Sequence, residues 1–499
     1  MMTEELKTYT AQEPQIHFGT GGWRAIISEG FTQLNVQRVA QALAARIISQ
    51  GVADKPVVIG YDQRFLSPEF AWWSAQVLAA NGIHVHLIDR PAPTPMIMWT
   101  VKDLGCAYGM AITASHNPAI YNGIKVFTAG GRDAEVEITT PLQDAANALG
   151  ADDIKLIELS EAQAAGLIST QTSMNWYIDS ILDSVDVEAI RHAHLKIVLD
   201  PMFGVSRTCL QTILMTARCD VETIHERRDT LFGGRLPSPS SKTLHALANE
   251  VLERGAAMGI ATDGDADRLG VIDNTGKFLH PNEILVLLYE YLLEEKGWHG
   301  PVVRNLATTH MLDRVARAHG EQCYEVPVGF KWVSSKMAEH DAIIGGESSG
   351  GLTVKGHIAG KDGVYAGTLL VEMVAKKGKH LSEIYADIVA KYGQLEMIET
   401  DYGFTMERKA QLLEQIYERH DLPEFAQAVD HVSYLDGCKV YFADDSWVVI
   451  RFSGTEPLLR VFAESATPIV QVISAGPFEP ALLIRPLTHQ ALTQPSQPV

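Results

Sequence analysis

Apolar positions along the chain alternate between two spacings. The compact runs Val57–Tyr61, 83–88, 109–112, 195–200 and Met258–Thr262 have the length and continuity of buried strands. Residues 31–50 instead place Leu34, Val36, Val39, Ala40, Leu43 and Ile47 near helical spacing, and 68–81 predicts a second helix. Farther on, the pattern predicts a helix over 283–296, strands at Val302 and 342–344, and strands at 439–442 and Trp447–Phe452 in a smaller last unit. Such alternation predicts α/β domains. Polar, Gly-rich segments follow most of the strands, and in open α/β sheets ligands sit outside the carboxyl ends of strands. No period of 20–50 residues repeats, so no solenoid is expected.

At 499 residues the chain exceeds what one core supports, since cores stop growing near roughly 250–300 residues. The pattern divides it into 1–160, 161–280, 281–395, a smaller 396–470, and an atypical tail over 471–499. A formal charge of −20 argues against a general nucleic-acid or membrane-surface binder. An anionic substrate would need a local cluster of Arg, Lys and backbone N–H groups. The five cysteines are scattered without a CxxC pair, which favours a reducing compartment over disulfides or zinc. The first residues are polar and unlike a secretory signal, and the most apolar stretch, 284–293, is too short to span a bilayer. A cytoplasmic protein, monomeric or a small homo-oligomer, is the expectation.

Four loops carry candidate chemistry. Asp263-Gly264-Asp265-Ala266-Asp267-Arg268 follows a predicted strand, and its three carboxylates at i, i+2 and i+4 can converge on one hard cation. An EF-hand is excluded because Arg268 and Asn274 stand where that loop needs Gly and Glu. A haloacid-dehalogenase-type phosphatase also begins with Asp-x-Asp after a strand, and it remains open at this point. Arg268 beside the carboxylates favours an anionic ligand near the metal.

In Thr113-Ala114-Ser115-His116-Asn117-Pro118, Asn-Pro turn chemistry is expected to expose the Ser115 hydroxyl beside His116. No G-x-S-x-G elbow surrounds it. Arg451-Phe452-Ser453-Gly454-Thr455-Glu456-Pro457, followed by Arg460, has the arginine forks, hydroxyls and turn N–H groups of a phosphate cradle. Gly345-Gly346-Glu347-Ser348-Ser349-Gly350-Gly351 sets polar side chains between glycines, suited to sugar hydroxyls.

Taken together, these loops resemble the phosphoserine, metal-binding, phosphate-binding and sugar-binding loops of the α-D-phosphohexomutase family. Phe18-Gly19-Thr20-Gly21-Gly22-Trp23-Arg24 resembles its opening motif, and the likeness runs from Phe18 to Glu464. The resemblance implies an α/β fold of four domains around a central cleft: three related α/β domains with mixed sheets and a smaller α+β C-terminal one. It implies a phosphohexomutase that interconverts hexose 1-phosphate and hexose 6-phosphate through a phosphoserine and a hexose 1,6-bisphosphate. Glucose is the favoured sugar, mannose next; a sugar-phosphate phosphatase and a non-catalytic sensor are the rivals.

The resemblance also implies roles. Ser115 would carry the phosphoryl group, and Asp263, Asp265 and Asp267 would hold Mg²⁺ together with an oxygen on Ser115. Arg24 and Arg268 would lie near the transferring group, and His116 and Lys125 would form the acid/base neighbourhood. Glu347 and Ser349 would grip sugar hydroxyls, with Lys331 and Lys361 as further substrate contacts. Arg451, Ser453, Gly454, Thr455 and Arg460 would bind the non-reacting phosphate. The chain departs from the family pattern at Gly21, Val328 and Phe452, and in a Pro-interrupted tail where the family adds a closing helix.

Overall fold

In Val57–Tyr61, Tyr108–Ile112 and Met258–Thr262 every residue is buried, the condition of strands covered on both faces. A computed structural model describes residues 15–403, 405–422, 425, 427–452, 458–466, 469–473 and 482–486. These fold as two compact units, the first comprising the described part of Met1–Ile284 with Gly329–Ser334 and Ser349–Ser382, the second the remainder.

The first unit holds two mixed sheets. In the larger, Tyr108–Ile112, Val57–Tyr61, Val85–Ile88 and Ile168–Gln171 run parallel, and Tyr121–Thr128 joins Tyr108–Ile112 antiparallel. The other sheet pairs Asp220–Thr223, Lys196–Asp200 and Met258–Thr262 in parallel, then turns antiparallel at Leu269–Asp273. Helix Gln33–Ser49 begins where the Thr32 side chain accepts from the Asn35 N–H, and it buries Val36, Val39, Ala40, Leu43 and Ile47. Phe31, just ahead of the cap, packs between Trp23 (tilted) and Phe70 (edge to face), with ring centroids 4.8 and 4.6 Å away. The helix expected over 31–50 is therefore two residues shorter at its start, because Phe31 serves the core rather than a helical turn.

The second unit contains a parallel set, Cys323–Val326, Val302–Asn305 and Ile344–Gly346. It also contains an antiparallel five-stranded sheet ordered Glu396–Gly403, Leu458–Ser465, Trp447–Phe452, Cys438–Phe442, Val429–Ser433. The strand expected at 342–344 lies at Ile344–Gly346, because pairing with Val302–Arg304 fixes its register. In place of a closing helix, Ile469–Ile473 and Leu482–Pro486 pair antiparallel. The chain thus has an α/β architecture with mixed sheets and antiparallel pairing in its C-terminal part. No helix among the described residues is long and apolar enough to cross a membrane.

Candidate active site

Two strand ends of the first unit meet at Ser115 and Asp263. Tyr108–Ile112 delivers the serine loop and Met258–Thr262 delivers the acidic loop, each from the carboxyl end of its strand. Gly264 is required there: a Cβ would lie 2.7 Å from the Ser115 carbonyl oxygen. Ala266 takes φ +62°, and the Arg268 N–H donates to Asp263 Oδ1 at 3.0 Å. The loop closes into a turn that directs all three aspartates inward.

The expected exposure of Ser115 needs correction. Its side chain is fully buried, and its hydroxyl donates to Asp263 Oδ2 at 2.7 Å, with His116 Nδ1 at 3.3 Å. The residue adopts φ +52°, a left-handed conformation that turns the hydroxyl toward the acidic loop rather than outward.

Asp263, Asp265 and Asp267 are buried, and one oxygen from each lies within 4.8 Å of the others. Burial, then Asp267 and Asp265, push the Asp263 carboxyl well above the usual range. Burial acts the same way on Asp267, but Lys125, Lys361 and Arg268 hold it well below that range. Lys125 Nζ donates to Asp265 and Asp267 at 2.6 Å each, and Lys361 Nζ reaches Asp267 at 3.0 Å. Although burial works against its charge, the two carboxylates raise Lys125 above its ordinary value. Thr94 donates to Asp265 Oδ2 at 2.7 Å, a contact that no motif announced.

Asp265 Oδ1 and Asp267 Oδ1 are buried without a hydrogen-bond partner. Buried carboxylate oxygens without a hydrogen bond, next to a third carboxylate, are the donor set a hard divalent cation takes. The residues present therefore fit a metal ion. Beside them, Arg24 Nε and Arg268 Nε are also buried without hydrogen-bond partners. Arg24 Nη1 donates to Asn117 Oδ1 at 2.7 Å. Burial, with Arg268 and Arg24 close by, lowers His116 far below its ordinary value and keeps the imidazole neutral. Bare carboxylate oxygens next to bare guanidinium nitrogens suit a cation bridging to an anionic group.

The remaining sequence candidates fall as follows. Lys331 is half-buried in the first unit, its ammonium 5.3 Å from the Trp332 ring centroid, and Ser349 is exposed. Glu347 belongs to the second unit, buried, with Oε1 accepting from Asn305 Nδ2 at 3.0 Å. There too, Arg451 donates to Asp436 Oδ1 from Nε at 3.2 Å and from Nη2 at 3.0 Å. Arg460 is half exposed, 3.6 Å from Asp401. Ser453, Gly454 and Thr455 lie outside the described residues. Sequence reasoning missed Asp62 and Arg64, which border the serine loop; the signal was a charged pair directly after the buried strand Val57–Tyr61.

Four segments match the phosphoglucomutase/phosphomannomutase domain families. Residues 15–152 match domain I, 175–276 domain II, 280–392 domain III and 407–468 the C-terminal domain. A phosphoglucomutase/phosphomannomutase of Thermococcus kodakarensis is 31% identical over 451 residues, covering 90% of this chain and 94% of the relative. A phosphoglucosamine/phosphogalactosamine mutase of Sulfurisphaera tokodaii is 27% identical over 449 residues, covering 90% and 95%. The crystal structure of a candidate phosphomannomutase from Thermus thermophilus superposes with a TM-score of 0.78 at 31% identity, covering 91% of this chain and 96% of that one. With four domain matches in order and the aspartate triad beside the serine, the chain belongs to the phosphoglucomutase/phosphomannomutase family, the α-D-phosphohexomutases, and is an isomerase of the hexose-phosphate mutase type.

Proposed function

We propose that the chain interconverts hexose 1-phosphate and hexose 6-phosphate, with glucose as the principal sugar, by way of phospho-Ser115. The observation that carries this reading is the buried Ser115 hydroxyl, 2.7 Å from the aspartate triad, with unpartnered Arg24 and Arg268 nitrogens in the same unit. A substrate hydroxyl oxygen attacks the phosphorus of phospho-Ser115. The P–Oγ bond breaks, and the hydroxyl proton passes to the neutral His116 imidazole, while Lys125, held as an ammonium by Asp265 and Asp267, can serve only as a proton donor. The product is a hexose 1,6-bisphosphate. It turns end for end, and the Ser115 oxygen takes its other phosphoryl group, leaving the isomeric monophosphate.

Asp263, Asp265 and Asp267, with an oxygen on Ser115, are the proposed ligands of Mg²⁺. When bound, the ion supplies charge neutralisation at the transferring phosphoryl group. Arg24 and Arg268 hold that group by their free N–H donors. Lys331, Lys361, Glu347 and Ser349 are the proposed sugar contacts. Arg451 and Arg460, with Ser453, Gly454 and Thr455, are the proposed holders of the phosphate that does not react. Glucose is favoured by the Glu347-Ser348-Ser349-Gly350-Gly351 form of the sugar loop.

The test incubates the protein with Mg²⁺, a trace of hexose 1,6-bisphosphate, and the 1-phosphate of glucose, mannose or glucosamine in separate assays. Fastest 6-phosphate formation from glucose 1-phosphate is expected. A preference for glucosamine 1-phosphate would reassign the sugar, and steady release of inorganic phosphate without isomer would make the protein a phosphatase.

A further inference from the structure

Arg64 is among the largest wholly buried side chains of the protein, and nothing in the chemistry above uses it. Its guanidinium serves one short stretch of chain. Nη2 donates to the carbonyls of Ser115 at 2.6 Å and Asn117 at 2.7 Å; Nη1 donates to those of Pro118 and Tyr121 at 2.9 Å each. Nε faces Asp62 Oδ2 at 3.2 Å, and the guanidinium lies over the Phe232 ring, 4.9 Å from its centroid.

The other side of Ser115 is held from the same turn. The Ser115 N–H donates to Thr113 Oγ1 at 2.9 Å, and that hydroxyl donates to Asp62 Oδ2 at 2.6 Å. Asp62 Oδ1 in turn accepts from the Arg64 N–H at 2.9 Å and from Ser67 Oγ at 3.0 Å. Both backbone polar groups of Ser115 are thus bound, directly or through one hydroxyl, by Asp62 and Arg64.

Burying a guanidinium is costly unless its donors are matched; here four carbonyls match the Nη1 and Nη2 donors, and Asp62 lies beside Nε as a countercharge without a hydrogen bond to it. The arrangement answers a specific need. Ser115 sits at φ +52°, where a residue with a Cβ is held only if its surroundings over-determine it. A side chain with five donors in a fixed plane can satisfy diverging carbonyls; an ammonium cannot reach them together.

We propose that Arg64, acting with Asp62 through Thr113, is the positioning residue that locks the backbone of Ser115 and so aims its oxygen at the aspartate triad. The proposal rests on the reading of Ser115 as the phosphoryl carrier. Arg64 touches only backbone in the serine loop, so its effect falls on the phosphoryl-transfer steps and not on sugar binding. An aligned in-line attack is sensitive to displacement: about 1 Å can cost on the order of 10²-fold in rate.

The experiment uses the full chain with Mg²⁺, glucose 1,6-bisphosphate and glucose 1-phosphate. It compares the parent with Arg64→Lys and Thr113→Val, the second retaining shape and volume. Two quantities are read: kcat against KM, and the rate at which phosphate from the bisphosphate appears on the Ser115 peptide by mass spectrometry. Arg64→Lys is expected to lower kcat about 10²-fold and Thr113→Val about 10-fold, with KM within about threefold and Ser115 phosphorylation slowed in parallel. A folded Arg64→Lys protein with kcat within about threefold of the parent overturns the proposal, as does a loss confined to KM. Should Arg64→Lys not fold, an unchanged kcat in Thr113→Val overturns it. If the parent itself gains no phosphate on Ser115 while isomerising sugar phosphates, the carrier reading falls, and this proposal with it.

Discussion

In the first unit, Asp263, Asp265 and Asp267 gather with Lys125, Lys361 and Arg268. In the second, Arg304 and Lys439 gather with Asp313 and Glu325. Arg304 Nε and Nη2 donate to Asp313 at 2.7 and 3.1 Å, and its Nη1 donates to Glu325 at 2.6 Å. Lys439 Nζ donates to Glu325 and to the Leu306 carbonyl, both at 2.7 Å, and Tyr441 donates to the other Glu325 oxygen. Among the described residues, no buried nitrogen or oxygen of Arg304, Glu325 or Lys439 is left without a hydrogen-bond partner, whereas Asp265, Asp267, Arg24 and Arg268 each leave one atom without a hydrogen bond, Asp267 Oδ1 and Arg268 Nε lying 3.9 Å apart. Both clusters bury charge and shift pKa values, so neither property alone separates function from architecture. The two clusters differ in unfilled hydrogen-bonding capacity, and a closed network has nothing to offer a ligand.

The most drastic way to test that contrast is to remove the group at the centre of the open cluster. Ser115→Ala is expected to lower mutase turnover by on the order of 10⁴-fold or more while the thermal midpoint stays close to that of the parent. Circular dichroism melts beside a coupled assay for 6-phosphate formation check both halves. Retained turnover would remove Ser115 from the chemistry.

Asp265→Asn acts one step further out and is expected to cost about 10²- to 10³-fold in kcat. Mg²⁺ at about 100 times its Kd should stabilise the parent by about 2.7 kcal/mol by mass action, and the variant by clearly less. Calorimetric titration with Mg²⁺ and melts in chelator supply the readout. Equal Mg²⁺ stabilisation of parent and variant would place the metal elsewhere.

The closed cluster should respond in the opposite sense. Glu325→Gln leaves Arg304 and Lys439 short of a countercharge and is expected to destabilise by about 3 kcal/mol while kcat stays within about threefold. The pH dependence follows from the same residue. Burial raises the Glu325 carboxyl, but Arg304 and Lys439 outweigh it, taking the group from its ordinary 4.5 to about 2. A carboxyl lowered on folding contributes stability above its unfolded pKa and loses it as pH falls toward the folded one. Stability should therefore drop between pH 4.5 and about 2, with a shallower slope in Glu325→Gln. Urea unfolding across that window decides it, and identical slopes would remove Glu325 from the acid response.

What the sequence disclosed tracks how locally each feature is encoded. Thr113–Pro118 and Asp263–Arg268 were legible because donor, turn and neighbouring strand lie within a few letters of one another. The strands Met258–Thr262 and Trp447–Phe452 were legible to the residue because apolar runs and turn signals bracket them. The burial of Ser115 was not, since it depends on a second strand end supplying Asp263 from 148 positions away. Asp62 and Arg64 read as an ordinary strand exit until Val57–Tyr61 is set beside Tyr108–Ile112. Arg304, Glu325 and Lys439 are separated in the same way and resemble surface charges when read singly. The tail carries no sustained helical period, and Ile469–Ile473 has instead the β-branched composition of a strand.

Arg460 gives the smallest expected effect and the sharpest boundary between the two kinds of charge. It stands on Leu458–Ser465, half exposed, with a loose contact to Asp401 at 3.6 Å. An exposed pair of that length contributes about 0–1 kcal/mol at most, so Arg460→Ala should leave the thermal midpoint almost unchanged. If the guanidinium binds the non-reacting phosphate, its loss removes an interaction present equally in ground and transition states. KM for the sugar phosphate should then rise about threefold to tenfold with kcat intact. That increase should shrink as salt is added, because an exposed cation attracts phosphate through a field that ions screen. Unchanged KM at low salt would class Arg460 with the solvated charges of the surface, leaving Arg451 as the described arginine of the phosphate loop.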